Sequence, residues 1–432
     1  MAHVGYRFSD RYMINLTVRN DGFSAFGADK KYGTFPSVGL GWAVSQEKFM
    51  KDISWINYLK LRLSWGKNGN RGIDSYTSLS NMDLTQFVYG DGGSSSIGLY
   101  PTSMANPDLG WETSSSYNLG VDFSVLNNRI SGALDVYTTK TTDLLLKVRI
   151  PNMSGYETFL SNIGETSNKG IEITINTENI KTKDFSWNST LVFSSNFNKI
   201  LHLTGEDLNG DGKEDDDLAS KWFIGYSLGS NYDYVFDGIW QEGEDFSIDK
   251  SAKPGDIKFK DLSGNGSIGP EDRMVLHNNR PKAMISLNNS FRYKDFSLSF
   301  LLDARLGGYA PNAWTNPGTN QYNRTNQLDL PYWTPENPRN DRPSVGYSNP
   351  RSYGFYEKLS YLRFQDISLS YDLPKNLIQK ISLSNLKVYV SGKNIATWTD
   401  WNGWDPEHAT GGRSAKNGPL LRSWIFGLQI SL

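Results

Sequence analysis

The chain has 432 residues and a formal net charge of −2, so it offers no broad basic surface for nucleic acid. It contains no cysteine, which excludes disulfides and thiolate metal sites, and it has no run of about 18 apolar residues for a membrane helix. Aromatic residues are abundant, with 13 Trp, 23 Tyr and 21 Phe, although mean hydropathy is only −0.51. An aromatic but polar chain with 41 Gly favours β-strands joined by turns.

Apolar and polar residues alternate with a period of two along most of the chain, and this pattern predicts strands with two different faces. Many of these strands exceed the average of about 5–6 residues found in soluble proteins. They are long enough to cross a bilayer at a tilt, which takes about 9–11 residues. About thirteen strands are predicted, at residues 2–8, 11–20, 35–44, 57–68, 111–125, 129–143, 163–178, 184–198, 281–293, 295–306, 359–373, 385–397 and 420–432.

Short and long connections alternate between these strands. The short ones are residues 9–10, 45–56, 126–128, 179–183, 294 and 374–384, and the long ones are 21–34, 69–110, 144–162, 199–280, 307–358 and 398–419. This layout is typical of outer-membrane barrels, whereas compact soluble domains rarely contain such long loops. We therefore predict an all-β protein, a transmembrane antiparallel β-barrel with short periplasmic turns and long extracellular loops. The alternative is a soluble all-β carbohydrate-binding or adhesion module.

The alternation also predicts which side chains meet lipid and which meet water. A barrel of this kind turns its apolar side chains outward and lines a wet lumen with polar ones. A register slip of one residue would exchange the two sets. The predicted lipid-facing residues include Trp42, Leu61, Val121, Phe300 and Val388. The predicted lumenal residues include Arg62, Asp122, Asp303 and Lys387.

Several stretches resemble the SusC/RagA family of TonB-dependent outer-membrane transporters. The clearest are LKLRLSWGKNGN (59–70), NPDLGWETSSSYNLGVDF (106–123), YLRFQDISLSYDLP (361–374) and VYVSGKNIATWTDWNGWDPE (388–407). The resemblance implies that residues 1–432 are the C-terminal portion, about 13 strands, of a 22-stranded barrel. The plug domain, the TonB box and the signal peptide are then expected outside this chain.

The resemblance also implies a function and partners. It implies import of large nutrients, either glycans or peptides, across the outer membrane of a Gram-negative, Bacteroidetes-type bacterium. The expected partners are a SusD-like surface lipoprotein over the long loops, the TonB–ExbB–ExbD system acting through the N-terminal part, and outer-membrane lipid. Carboxylates are plentiful, but no catalytic arrangement stands out, and no H-E-x-x-H or phosphate-loop motif occurs in the sequence, so we expect no enzyme.

Two acidic stretches have the spacing of a calcium loop. DLSGNGSIGPED (261–272) offers oxygen ligands at positions 1, 3, 5 and 12, namely Asp261, Ser263, Asn265 and Asp272, with Gly266 at the turn position. DLNGDGKEDDDL (207–218) begins with Asp207, Asn209 and Asp211 but has Leu218 in place of the last carboxylate. The 261–272 stretch carries fewer charges than strong calcium sites, so weak calcium binding and a plain Asx/Gly turn remain alternatives there. In 207–218, Asp215, Asp216 or Asp217 could substitute for the last carboxylate, and the alternative is a solvated acidic loop.

Tryptophans in or beside the last two long connections are candidate ligand contacts. Aromatic rings can stack on sugars or cover apolar side chains of peptides. They suit the membrane-interface belt and loop packing equally well. The candidates are Trp314, Trp333, Trp398, Trp401 and Trp404.

Overall fold

The structure is a computed structural model that describes the whole chain except residues 151, 152, 154, 155, 157, 313, 314, 316–327, 379–382, 412–417 and 432. Its main element is a 13-stranded antiparallel sheet in which the strand order follows the chain order. The strands are β1 (Ala2–Phe8), β2 (Tyr12–Gly22), β3 (Tyr32–Trp42), β4 (Ile56–Asn70), β7 (Glu112–Val125), β8 (Ile130–Thr142), β11 (Glu165–Lys181), β12 (Phe185–His202), β17 (Ala283–Tyr293), β18 (Phe296–Leu306), β21 (Tyr361–Asp372), β22 (Asn385–Thr399) and β23 (Ser423–Ser431).

The connections contain regular structure that the sequence pattern did not predict. Among the described residues, five small two-stranded sheets lie in the long connections: β5 (Asn81–Tyr89) with β6 (Ser94–Ser103), β9 (Leu145–Arg149) with β10 (Thr158–Asn162), β13 (Ser230–Tyr234) with β16 (Arg273–Asn278), β14 (Phe236–Ile239) with β15 (Ile257–Phe259), and β19 (Tyr309–Pro311) with β20 (Tyr356–Lys358). The helical elements that the described residues form are short: α1 (Lys375–Ile378) and the 3-10 turns Val44–Gln46, Lys48–Met50, Pro270–Asp272 and Pro406–Gly411. None of the helices in the described ranges is long and apolar enough to span a membrane.

All thirteen predicted strands are present, and their ends differ from the predicted ends by only a few residues. The prediction of an all-β antiparallel fold with alternating short and long connections is therefore confirmed. Two compact units can be distinguished. Unit 1 comprises residues 1–175 and 196–228, and unit 2 comprises residues 176–195 and 229–432.

In unit 1, one face of the sheet carries a continuous apolar row. Leu40, Leu63, Leu119 and Val136 are direct neighbours across β3, β4, β7 and β8. Each exposes between 45% and 54% of its surface. A soluble sheet would cover such a row with a second layer, so this exposure fits a face that meets lipid. The predicted outward residues Trp42, Leu61 and Val121 form the adjacent row on the same face.

The opposite face of unit 1 carries paired charges. Arg62 lies between two carboxylates, at 2.9 Å from Asp122 and 2.8 Å from Asp135. Asn118 adds a hydrogen bond of 2.9 Å to Asp135. These groups are about a third exposed or less, and each charge has an opposite charge beside it. The prediction that Arg62 and Asp122 share the polar face is confirmed.

Unit 2 repeats this division into an apolar and a polar face. Phe300 and Val388 lie on the apolar face, where Val388 pairs with Tyr371 and with Leu428. On the polar face, Asp303 accepts a hydrogen bond of 2.7 Å from Ser286, and Lys387 lies 3.5 Å from Asp372. The predicted faces of unit 2 therefore hold as well.

A β-bulge interrupts the alternation in β21. The register with β18 shifts so that Asp366 pairs with Leu301 and Phe364 pairs with Leu302. Gln365 is the additional residue, and a bulge of this kind exchanges the parity of the two faces. Arg363 therefore pairs with Asp303 on the polar face.

The faces can be tested by placing a charge on the apolar row. Leu119→Arg puts a guanidinium near the middle of β7, where a charge facing lipid costs about 2–4 kcal/mol. We expect a reduced fraction of heat-modifiable protein in outer-membrane preparations. Ser64→Arg is the control, because Ser64 lies next to Leu63 but pairs with Asn118 on the polar face. Equal losses in both variants would contradict the assignment of the faces.

Candidate functional site

A compact hydrophobic core lies in the connections of unit 2, outside the main sheet. It contains seven side chains that each expose 9% or less of their surface: Tyr234, Ile239, Ile257, Phe259, Ile268, Trp333 and Tyr347. The first five belong to residues 229–280 and the last two to residues 307–358. Two connections that are distant in sequence thus fold together. We call the described residues of these two ranges the loop module.

Polar contacts join the two parts of the loop module. The buried Asp233 carboxylate accepts hydrogen bonds of 3.0 Å from the Tyr356 hydroxyl and from the Gly354 amide. Arg351 donates a hydrogen bond of 2.7 Å to Asp249. Burial alone would raise the pKa of the Asp249 carboxyl, but Arg351 and nearby serine hydrogen bonds hold that pKa below its usual range. The loop module is therefore held by charge-assisted contacts as well as by apolar packing.

Trp333 is part of this core. Its ring nitrogen donates a hydrogen bond of 2.8 Å to the Gln241 side chain, and only 6% of the residue is exposed. Gly255 packs against the ring with a φ of 88°, and a Cβ at this position would lie 2.5 Å from a ring carbon. A glycine is needed there for both reasons. Trp333 has a clear structural role, and ligand contact by Trp333 stays a prediction.

The other candidate tryptophans lie in different surroundings. Trp398 pairs with Leu362 on the apolar face of β22 and is 55% exposed, which suits a membrane-interface position. Trp401 is buried, with 8% exposure, whereas Trp404 is 52% exposed. Trp314 lies outside the described residues. The described candidates therefore differ in burial and in the elements that hold them.

The 261–272 loop directs its carboxylates toward its own backbone. Asp272 is fully buried and accepts three amide hydrogen bonds of 2.8–2.9 Å, from Leu262, Ser263 and Gly269. Burial would raise the pKa of the Asp272 carboxyl, but these amides outweigh it and lower that pKa. Asp261 accepts hydrogen bonds in the same way from the amides of Gly264 and Gly266.

The 207–218 loop has a similar local geometry. Asp207 accepts amide hydrogen bonds of 2.7–3.2 Å from Gly210, Asp211 and Gly212, and Asn209 accepts one from Asp211. Within the described part of the chain, no three His, Cys, Asp or Glu side chains are grouped so that they could hold a metal ion. The 261–272 loop shows the Asx/Gly turns that were its alternative interpretation, and the 207–218 loop has local hydrogen bonds of the same kind. Calcium binding by either loop stays a prediction.

A buried ion-pair cluster joins β18 and β21 to the residues that follow β22. Arg363 is 3% exposed, and its Nη2 donates to both carboxylate oxygens of Asp405, at 2.9 and 2.8 Å. Its Nη1 donates to Glu407, which also lies 2.7 Å from Arg305. Sequence analysis did not single out these residues. The available signal was the break in alternation at residues 365–366, which places Arg363 on the polar face.

A family comparison assigns this architecture. The model of the family described as "TonB dependent receptor-like, beta-barrel" matches residues 2–395. The chain belongs to this family. The sheet is therefore part of an outer-membrane β-barrel, its apolar face meets lipid, and its polar face lines the lumen. The alternative of a soluble all-β binding module is excluded.

Two curated proteins illustrate the similarity. TonB-dependent receptor P3 of Formosa agariphila is 35% identical over 417 residues, which are 94% of this chain and 41% of that protein. TonB-dependent receptor SusC of Bacteroides thetaiotaomicron is 31% identical over 451 residues, covering 99% of this chain and 43% of SusC. The chain thus spans less than half the length of these relatives.

A solved structure agrees with the sequence comparison. The structure of the RagAB peptide transporter superposes with a TM-score of 0.81 at 25% sequence identity. The match covers 99% of this chain and 46% of the solved chain. The long connections, and with them the loop module and the residues after β22, are therefore extracellular in the family's topology.

The buried carboxylate of Asp272 provides a test of the 261–272 loop. Asp272→Ala leaves three amides without their acceptor, which we expect to destabilise the loop by about 1–3 kcal/mol. The readout is faster cleavage of this loop by an external protease. Glu271→Ala, which removes an exposed neighbour bonded to Asn265, should change cleavage little.

The same loop gives a pH and a calcium readout. The pKa of Asp272 is lowered in the folded state, so the ionised carboxylate stabilises the loop fully at neutral pH. This stabilisation is lost as the pH falls through the lowered pKa. Micromolar calcium should not change protease resistance, because the Asp272 oxygens are already occupied by amides. Protection by micromolar calcium would contradict our view of this loop.

Proposed function

We propose that this chain is the C-terminal barrel portion of a receptor that imports large nutrients, glycans or peptides, across the outer membrane. The rest of the longer protein would contribute the plug domain and the TonB box, through which TonB, ExbB and ExbD would supply energy. A SusD-like surface lipoprotein would cover the extracellular connections. The observation that carries this proposal is similarity over almost the whole chain to TonB-dependent receptors, including SusC.

The loop module supports a role in binding at the cell surface. It has its own buried core and its own ion pairs, so its shape does not depend on a ligand. A surface that is ordered in advance avoids the entropy cost of ordering loops when a partner binds. We propose that the loop module forms part of the contact surface for the lipoprotein.

Trp404 is the tryptophan that we propose contacts the nutrient. It lies in an extracellular connection beside Asp405, which binds the polar, lumenal face through Arg363. About half of its surface is exposed, unlike that of Trp333 or Trp401. An exposed indole in an extracellular connection can stack on a sugar ring or cover an apolar peptide side chain.

The proposal includes no catalytic reaction and no required cofactor. The relatives are named as receptors and a transporter, not as enzymes. We propose both glycans and peptides as candidate nutrient classes, because the chain is similar to SusC and also to the RagAB peptide transporter. Weak binding of calcium to the 261–272 loop is an additional proposal that does not affect transport.

Deleting the gene of the full-length receptor in its host tests the proposal. We expect loss of growth on one class of polymer, either a glycan or a peptide mixture, as the only carbon source. Growth on the corresponding monosaccharides or amino acids should continue, because the proposed receptor serves large nutrients. Restoring the gene on a plasmid is the control. Normal growth of the deletion strain on every polymer of both classes would refute the proposed function.

A further inference from the structure

The segment after β22, residues 400–411, folds back onto the polar face of the sheet. We call it the return segment. Arg363, to which it binds, is a direct neighbour of Asp303 on that face. The guanidinium donates through Nε to Thr397 of β22 at 3.1 Å and through Nη2 to Asp405 of the return segment. Arg363 thus links two strands of the barrel wall to an extracellular connection.

The contacts around Arg363 are charge-assisted hydrogen bonds with favourable geometry. The bidentate contact with Asp405 matches the planar guanidinium, and Glu407 is shared between Arg363 and Arg305. The ring of Tyr361 lies 4.5 Å from the Arg363 guanidinium carbon. Burial would raise the pKa of the Glu407 carboxyl, but the two arginines hold that pKa below its usual range. Glu407 is therefore charged at neutral pH.

A second anchor holds the beginning of the return segment. The backbone amide and side-chain amide of Asn402 donate to the Glu357 carboxylate at 2.9 and 2.8 Å. Asn312 donates to the same carboxylate at 2.8 Å. Glu357 and Asn312 lie in the loop module. The return segment is consequently fixed on one side to the loop module and on the other side to the barrel wall.

Trp404 lies between these two anchors. It is two residues after Asn402 and directly precedes Asp405. A segment that is pinned at both ends leaves the residue between them little backbone freedom. Loss of either anchor would allow Trp404 to move, and a ligand would then have to order the segment again when it binds.

We propose that Arg363 is a positioning residue. Through Asp405 and Glu407 it holds the return segment on the lumenal face and fixes Trp404 for contact with the imported nutrient. The ligand contact rests on the proposed function, whereas the anchoring of the return segment does not. Arg363 itself is too deeply buried to contact a nutrient directly.

The anchoring is tested on intact cells that display the full-length receptor with its lipoprotein. Chymotrypsin cleaves after aromatic residues, and mass spectrometry identifies cleavage after Trp401 and Trp404. We expect Arg363→Met to raise the cleavage rate roughly tenfold or more, because charge-assisted hydrogen bonds to Asp405 and Glu407 are lost. Asp405→Asn should have a similar effect. The double variant should be little worse than either single variant, because both remove the same contact.

Three further variants make the result specific. Arg292→Met is the matched control, because Arg292 is an exposed arginine of β17 that bonds the Lys294 carbonyl at a short turn. It should leave cleavage unchanged. Arg363→Lys, which keeps the charge but not the bidentate geometry, should lie between the parent and Arg363→Met. If Arg363→Met does not assemble, Glu407→Gln provides the same test, since it weakens the cluster from the solvent-facing side.

The positioning of Trp404 is tested by measuring nutrient affinity. The ligand is the polymer that supports growth, and binding is expressed per assembled receptor. Trp404→Ala should weaken binding roughly two- to tenfold without raising cleavage after Trp401, which is the site that remains for comparison in this variant. Arg363→Met should weaken binding to a similar extent while raising cleavage. Trp398→Ala, on the lipid-facing side, should change neither.

The outcomes separate the proposals. Unchanged cleavage in Arg363→Met and in Asp405→Asn would overturn the anchoring. Faster cleavage with unchanged affinity would overturn the positioning of Trp404 while leaving the anchoring intact. A receptor that takes up no polymer would refute the proposed function, and the cleavage assay would still decide whether Arg363 anchors the return segment.

Discussion

Backbone pairing in lipid is the constraint on which the rest of this structure depends. An amide or carbonyl group without a partner in the bilayer costs several kcal/mol, so a membrane-crossing sheet must pair every strand with its neighbours. The side chains of such a sheet are then sorted by solvent, with apolar groups toward lipid and polar groups toward a wet lumen. The row formed by Leu40, Leu63, Leu119 and Val136, opposite the Arg62 ion pairs, shows this arrangement directly.

Because lipid covers the apolar face of the main sheet, the buried hydrophobic core lies elsewhere in the chain. The seven-residue core around Trp333 lies in the loop module. There, water surrounds the chain, and apolar burial with ion pairs such as Arg351–Asp249 stabilises a defined shape. Two parts of the same chain thus fold in different surroundings: lipid covers the apolar face of the strands, and the hydrophobic effect in water stabilises the connections. The Arg363 cluster lies where these two regions meet.

The strands were predictable from the sequence because both solvents act on alternate side chains along the whole length of a strand. The predicted faces of Leu61, Arg62 and Val121 follow from that period alone. The loop module was not predictable, because its core combines Ile239 with Trp333, which are far apart in sequence and have no common period. The bulge at Gln365 was visible as a break in alternation, but the partners of Arg363 were not, since Asp405 and Glu407 come from a connection without periodicity. The candidate tryptophans look alike in sequence, and only three-dimensional contacts distinguish buried Trp333 from lipid-facing Trp398.

The most direct measurement of the central claim uses two adjacent positions of β4. This chain has no cysteine, so Leu63→Cys and Ser64→Cys can each carry a single spin label in a full-length receptor free of other cysteines. The accessibility of each label to oxygen, which concentrates in lipid, and to a water-soluble nickel complex is then measured in outer-membrane vesicles. Our account predicts high oxygen accessibility at residue 63 and high nickel accessibility at residue 64. The same accessibility at both positions, or the reverse pattern, would contradict it.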